Sequence, residues 1–262
     1  MELPLFQVDS FTNRPFTGNP AAVCLLSEAK DDRWMQTVAK EMNLSETAFL
    51  LKHRDAYELR WFTPAVEVDL CGHATLASAH VLWTEGMVPE SDELRFQTRS
   101  GLLTASCHGD LIELDFPRES ESSVSPPPGL LEALGVSASY VGKNRFDYLV
   151  ELDSEAELQT MKPDFARLGQ IEARGVIVTS RSAQPKYDFV SRFFAPWAGI
   201  DEDPVTGSAH CCLGPHWEDR LGKAEMTAFQ ASARGGVVHV RMVGDRVTLG
   251  GQAVTIMRGN LL

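Results

Sequence analysis

The stretch Leu70-Cys71-Gly72-His73-Ala74-Thr75, with the run that follows it, Ala74–Glu85 (ATLASAHVLWTE), decides how this chain reads. Apolar residues fall on every face of that run, which predicts a helix inside a core rather than on a surface. A buried helix keeps the N–H groups of its first turn without intrahelical partners and directs the positive end of its dipole at whatever lies beyond. Gly72 and the small Ala74 let a ligand approach that end closely. A similar start recurs at Thr206-Gly207-Ser208-Ala209-His210. Two such helix starts, one per half, predict two domains facing each other across an anion site.

Upstream of the first helix, Leu3–Val8 reads as a strand, Asp9–Pro20 as a loop, and Ala21–Leu26 as a second strand. From Asp31 to Met42 the residues Trp34, Met35, Val38, Ala39 and Met42 share one helical stripe, which Asn43 ends. Glu46–Leu51 and Tyr57–Phe62 are strands, and Val66–Leu70 leads into the buried helix. Strands at Glu93–Thr98, Leu102–His108 and Leu111–Phe116 follow, with Gly109-Asp110 as a hairpin turn.

Pro117–Gly129 (PRESESSVSPPPG) is polar and proline-rich and reads as the boundary. The expected domains are 1–118 and 130–262, joined by a linker at 119–129, with the last strand a candidate to return to the first domain. In the second half a short helix at Leu130–Leu134 precedes strands at Tyr148–Leu152, Gly175–Thr179 and Asp188–Phe194. Helical pieces lie near Glu155–Met161 and Pro163–Leu168. The second buried helix runs from about Thr206 to Leu221, and Pro215 inside it is expected to kink or split it. Strands at Glu225–Gln230, Val237–Met242, Val247–Gly250 and Ala253–Met257 close the chain. The order lacks the regular alternation of a doubly wound sheet. It predicts an α+β protein of two pseudo-symmetric domains, each a curved mixed sheet or barrel around a central helix.

Across 262 residues, 44% are hydrophobic and 23% charged, the balance of a globular protein. A formal net charge of −12 with no cluster of basic residues argues against nucleic acid as a partner. No apolar run reaches the roughly 18 residues of a membrane span, and no signal peptide is read. Five cysteines, with an adjacent pair and no CxxC, read as reduced thiols of a cytoplasmic protein.

Several residues are candidates for chemistry. Glu46, at the mouth of an apolar strand, is either a partly desolvated carboxylate suited to proton transfer or a surface glutamate. His73 sits in the first turn of a buried helix, where the dipole favours a neutral imidazole acting as catalyst or cap. Asp203-Pro204-Val205-Thr206-Gly207-Ser208 combines a carboxylate with backbone donors at a helix end, as an anion cradle or a plain N-cap. Asn19 stands in a turn. Cys71 is a reactive thiol, activated by the helix end, or a core cysteine. His210, Cys211, Cys212 and His216 resemble a metal cluster by composition only. The six-residue gap between the histidines misses the three- or four-residue spacing of two ligands on one helical face, so no metal site is predicted. The GxGxxG, GxxxxGK[ST] and GxSxG motifs are absent.

Five segments in register resemble the PhzF-like (phenazine biosynthesis) family. They are Phe6–Thr12 with Gly18-Asn19-Pro20, Leu44–Phe49, Arg60–Pro64, Cys71–Thr75, and Asp203–Ala209. The resemblance implies the diaminopimelate epimerase-like fold, with the site in the cleft between domains. It implies Glu46 as the proton-transferring residue, supported by His73, Asp203 and Ser208. Asn19, Gly72, Thr206 and Gly207 are the implied binding residues for a small carboxylate substrate. It further implies no cofactor, no metal, no membrane association and a homodimer. Epimerases of this fold use two opposed thiols, one at the start of each central helix. Here Cys71 holds the first position and Pro204 is read at the second, which favours an isomerase shifting a proton along one face. The alternatives are an epimerase or racemase using Cys71, and a non-catalytic ligand-binding or interaction protein.

Overall fold

Thirteen residues, Gly72–Thr84, form the predicted central helix, and eleven of them are buried. The computed structural model describes residues 2–262, apart from the side chain of Ala198. It divides into two compact units: the chain up to Phe116 together with Thr248–Leu262, and Pro117–Val247.

In the first unit, β1 (Leu3–Ser10) and β2 (Asn19–Leu26) precede α1 (Asp32–Met42). Asp31 caps α1 by accepting the Trp34 N–H at 2.8 Å, and Asn43 ends it in the left-handed region. Its apolar stripe of Met35, Val38 and Ala39 packs on Leu5, Cys24, Phe49 and Phe62. Next come β3 (Glu46–His53), β4 (Ala56–Phe62), the two-residue β5 (Glu67–Val68) and α2 (Gly72–Thr84). Strands β6 (Leu94–Thr98), β7 (Gly101–His108) and β8 (Leu111–Pro117) then complete the run. Pairing is antiparallel for β1–β2, parallel for β2–β3, antiparallel for β3–β4, parallel for β4–β6, and antiparallel through β7 and β8. Helix α2 packs on β1, β2 and β3. Its buried Thr75 and Ser78 hydroxyls donate to the Cys71 and Ala74 carbonyls, which removes the penalty of burying them.

The second unit contains β9 (Ser122–Ser123), α3 (Leu130–Leu134), β10 (Tyr140–Lys143), β11 (Asp147–Leu152), α4 (Glu155–Thr160) and α5 (Phe165–Leu168). It continues with β12 (Gly175–Arg181), β13 (Phe189–Phe194), α6 (Gly207–Leu221), β14 (Glu225–Gln230) and β15 (Gly236–Val243). β10–β11 is antiparallel, β11–β12 parallel, β12–β13 antiparallel, β13–β14 parallel and β14–β15 antiparallel. This is the order of pairings found in the first unit, so the repeat of architecture is written in the topology. Leu130, Leu134, Leu158 and Leu168 from the three short helices share one core with Val150, Val178 and Phe194. β16 (Arg246–Gly251) leads out of this unit, and β17 (Ala253–Leu261) pairs antiparallel with β1 in the first unit.

Two local expectations are corrected. The stretch read as a linker is structured: β9 pairs with β10, and Glu119 donates its N–H to the Cys211 carbonyl at 3.1 Å. That bond also explains the second. Helix α6 runs on as one element through Pro215 rather than splitting. A proline cannot donate to the carbonyl four residues back, here Cys211. The Glu119 N–H supplies the missing donor. Gly214 lets the same turn lie against β15, since a Cβ there would come within 2.8 Å of Met242 Sδ.

Candidate active site

In the first unit the candidate residues come from two strand starts and one helix start. Asn19 begins β2, Glu46 begins β3, and Cys71 precedes the first residue of α2 with extended backbone and no side-chain cap. Gly18 sets the entry to β2: its φ is +68°, and a Cβ would sit 2.2 Å from the Ser10 carbonyl oxygen. No residue but glycine fits that turn without strain. His73 is buried on the second residue of α2, and the Ser10 hydroxyl donates to its carbonyl at 2.8 Å.

The His73 ring is approached from both ends. Nδ1 lies 3.1 Å from Asn19 Nδ2 and 3.6 Å from Cys71 Sγ, while Nε2 lies 3.0 Å from Glu46 Oε2. Asn19 and Cys71 thus flank Nδ1, and the carboxylate flanks Nε2. Nε2 and Oε2 are an ion-pair distance apart, yet neither makes an aligned hydrogen bond.

Electrostatics here reverse two expectations. Burial opposes charge on His73, but the negative charges that Cys71 and Glu46 offer outweigh it and hold the imidazole well above its ordinary value. The Cys71 thiol is itself pushed up, by burial first and then by the Glu46 charge, and stays protonated at neutral pH. Glu46 is thus the effective partner of a His73 imidazolium, where the helix end alone predicted a neutral ring. The helix end likewise fails to activate Cys71, because desolvation of a buried thiolate outweighs a half-charge of dipole.

In the second unit, Thr206 precedes α6 with extended backbone and no side-chain cap, as Cys71 precedes α2. The equivalent of Cys71 is therefore Thr206, two residues beyond the Pro204 read there from the sequence. Gly207 matches Gly72, and Ser208 matches His73. The Thr206 hydroxyl is hydrogen-bonded to the Asp203 carboxylate. Gln230, at the end of β14, ties the turn together. Its Oε1 accepts from Thr206 N at 2.9 Å and its Nε2 donates to the Asp203 carbonyl at 2.8 Å. Ser208 is half-buried beside them.

Residues 8–259 match the model of the phenazine biosynthesis-like protein family. This chain belongs to that family. An uncharacterized isomerase of Halalkalibacterium halodurans is 56% identical, over 100% of this chain and 99% of that protein. The crystal structure of a PhzF-family protein from Enterococcus faecalis is 40% identical, with a TM-score of 0.96 and full coverage of both chains. A hydroxyproline epimerase from Agrobacterium vitis shares the fold alone. It is 12% identical, with a TM-score of 0.67 over 99% of this chain and 92% of that one.

Within this PhzF-like chain, the structure brings Asn19, Glu46, Gly72 and His73 together in the first unit and Asp203, Thr206, Gly207 and Ser208 in the second. Two contributors escaped the sequence reading. Ser10 looks like any strand-end serine until the register of β1 is known. Gln230 had a readable signal: it is the polar last member of the inward-facing set Met226, Ala228, Gln230. The histidines and cysteines of α6 are placed separately. His210 is pushed down to about 4 by burial, with Nδ1–H donating to the Thr206 carbonyl at 2.8 Å. His216 lies between Glu121, at 2.6 Å, and Glu151, at 3.3 Å. All five cysteines are free thiols, and no helix among the described residues is long and apolar enough to cross a membrane.

Proposed function

We propose that this chain is a cofactor-independent isomerase in which Glu46 moves a proton on a small carboxylate substrate. The observation that carries the reading is the Glu46–His73 pair. A carboxylate with 14% side-chain exposure stands 3.0 Å from a buried imidazolium without being hydrogen-bonded to it.

In this reading the Glu46 carboxylate takes a proton from a carbon activated by conjugation to the substrate carboxylate. The C–H bond breaks, its electron pair enters the conjugated system, and the double bond shifts. The same carboxyl group then returns the proton to another carbon on the same face, so no oxidant or reductant enters the balance. The His73 imidazolium pairs with Glu46 and faces the negative charge that develops on the substrate. The helix start at Gly72 supplies N–H groups for the carboxylate. Asn19 holds the His73 ring in the required orientation. The 56% identical relative named as an isomerase supports the reaction class.

The test is uptake of solvent deuterium into a panel of cyclic and amino carboxylic acids, followed by NMR. The wild type is expected to exchange one position and shift a double bond, and Glu46→Gln to lose at least about 100-fold in rate, as general acid–base groups do. Equal exchange in both sinks the role of Glu46. Cys71→Ala separates isomerase from epimerase: the isomerase keeps its rate, whereas an epimerase using the thiol loses inversion at a stereocentre.

A further inference from the structure

We propose that the indole N–H of Trp61 is a binding donor of the Glu46 site, reserved for a carboxylate oxygen of the ligand. Trp61 belongs to Arg60-Trp61-Phe62-Thr63-Pro64, a segment that contributes none of the residues gathered around His73. Its other polar and aromatic side chains are accounted for by the fold. Arg60 donates to Glu67 from Nε at 2.7 Å and Nη2 at 2.6 Å, reaches Asp32 at 2.8 Å and covers the Phe62 ring. Phe62 packs edge-on against Phe49 in the core beneath α1. The Thr63 hydroxyl accepts the Ala65 and Val66 N–H groups, and its carbonyl accepts from Gln36.

Side chains alternate along a strand, so Trp61 lies on the face of β4 opposite to Arg60 and Phe62. It shares that face with Ala48, its direct partner on β3, and with Glu46 two positions along. Diagonal neighbours of this kind are within reach of aromatic and long side chains, and the small Ala48 leaves room for the indole. The Glu46 side chain is 14% exposed, so this face meets solvent at its Glu46 end.

The indole N–H is what the fold leaves over. Trp61 is 1% exposed, and its Nε1 has no hydrogen-bond partner among the described residues. The other two buried tryptophans have one: Trp83 donates to the Asp92 carbonyl at 3.4 Å, and Trp217 to the Thr179 hydroxyl at 3.0 Å. An indole nitrogen only donates, and a ring locked in a core cannot turn it toward a new acceptor. The missing partner is an acceptor that a ligand brings. Because the donor is dry before the ligand arrives, no water is stripped from it on binding, and the bond adds its strength directly to affinity. A carboxylate is the strongest acceptor of a small acid, since charge-assisted bonds are about twice as strong as neutral ones. The inference rests on the proposed small-acid site at Glu46, but not on Glu46 acting as the base.

The experiment uses the whole chain, ¹⁵N-labelled, titrated with benzoate, a conjugated acid that cannot shift a double bond. The Trp61 indole cross-peak is the one missing from Trp61→Phe, and the Gly72 amide reports occupancy of the helix start. Benzoate is expected to move the Trp61 indole proton downfield and the Gly72 amide with it, at one dissociation constant. Trp61→Phe is expected to bind benzoate about 10–100-fold more weakly, as loss of a bond to a charged acceptor does. Benzothienylalanine at position 61, which keeps the ring shape and lacks the N–H, is expected to lose the same affinity while its urea stability is unchanged. A Gly72 amide that moves while the indole stays still overturns the role of Trp61 and leaves the site standing. So does unaltered affinity in the benzothienyl protein, or a stability loss there from a broken bond to trapped water. If neither signal moves, the small-acid site falls and the role of Trp61 with it. If both move while Glu46→Gln exchanges deuterium normally, Trp61 stands and the proton-transfer reading falls.

Discussion

Gly18 shows how a residue with no functional group controls one that has several. Its φ of +68° and the 2.2 Å approach of its absent Cβ to the Ser10 carbonyl fix where Asn19 enters β2. Ser10 in turn holds the His73 carbonyl, and Asn19 holds the ring. Gly18→Ala is therefore expected to lower stability by at least about 2–3 kcal/mol, from left-handed backbone strain plus the clash. Urea denaturation measures it, and a loss below the usual half-unit scatter of surface substitutions contradicts the account. Gly18-Asn19-Pro20 was legible as a turn, and Asn19 as a binding candidate. The charge on His73 was not, because the sequence places that residue at a helix end but cannot place Glu46 beside it.

Helix α6 gives the same lesson at the next scale. Its burial and extent were readable from the run of apolar and small residues. Its continuity through Pro215 was not, since the compensating N–H comes from Glu119, nearly a hundred residues earlier. The same segment contributes Glu121, which with Glu151 encloses His216; Arg220 also pairs with Glu151, Cys212 lies near Glu121, and the Tyr140 ring packs on the imidazole. Burial opposes charge on His216, but the two carboxylates raise its pKa. Burial also opposes charge on Glu121 and Glu151, and the histidine outweighs that and lowers both. The histidine's contribution to stability is thus complete below its unfolded pKa of about 6.5 and is lost as pH rises through the raised folded value. The carboxylates contribute above about 4.3 and lose it as pH falls through their lowered folded values. His216→Gln is expected to cost about 3–5 kcal/mol between those limits, as breaking a buried pair does. Urea denaturation at pH about 5.5 and about 9 reads the effect, and the gap from wild type must narrow at the higher pH. A gap that stays constant shows that packing alone, not charge, accounts for the residue. Strands β9 and β10 were missed for a plain reason: two and four residues are too short to show a period of two.

Over the whole molecule, both units repeat one order of parallel and antiparallel pairings, which the two helix starts foretold. The first unit is discontinuous in sequence. β17 covers β1 along eight paired positions, from Leu3 with Leu261 to Ser10 with Ala253. Removing residues 253–262 bares that edge of β1, the strand that carries Ser10. The shortened chain is expected to melt at least about 10 °C lower, or to associate through the bared edge. Differential scanning calorimetry with light scattering checks this, and an unchanged melt with a monomeric species refutes it. A last consequence follows from the unbonded Glu46 and His73 atoms. A domain's net stability is only about 5–15 kcal/mol, and each buried polar atom left unsatisfied costs about 1–3 kcal/mol. Two such atoms side by side are local frustration kept within an otherwise consistent fold. Replacing the pair with two apolar residues of similar volume is therefore expected to raise the stability of the first unit.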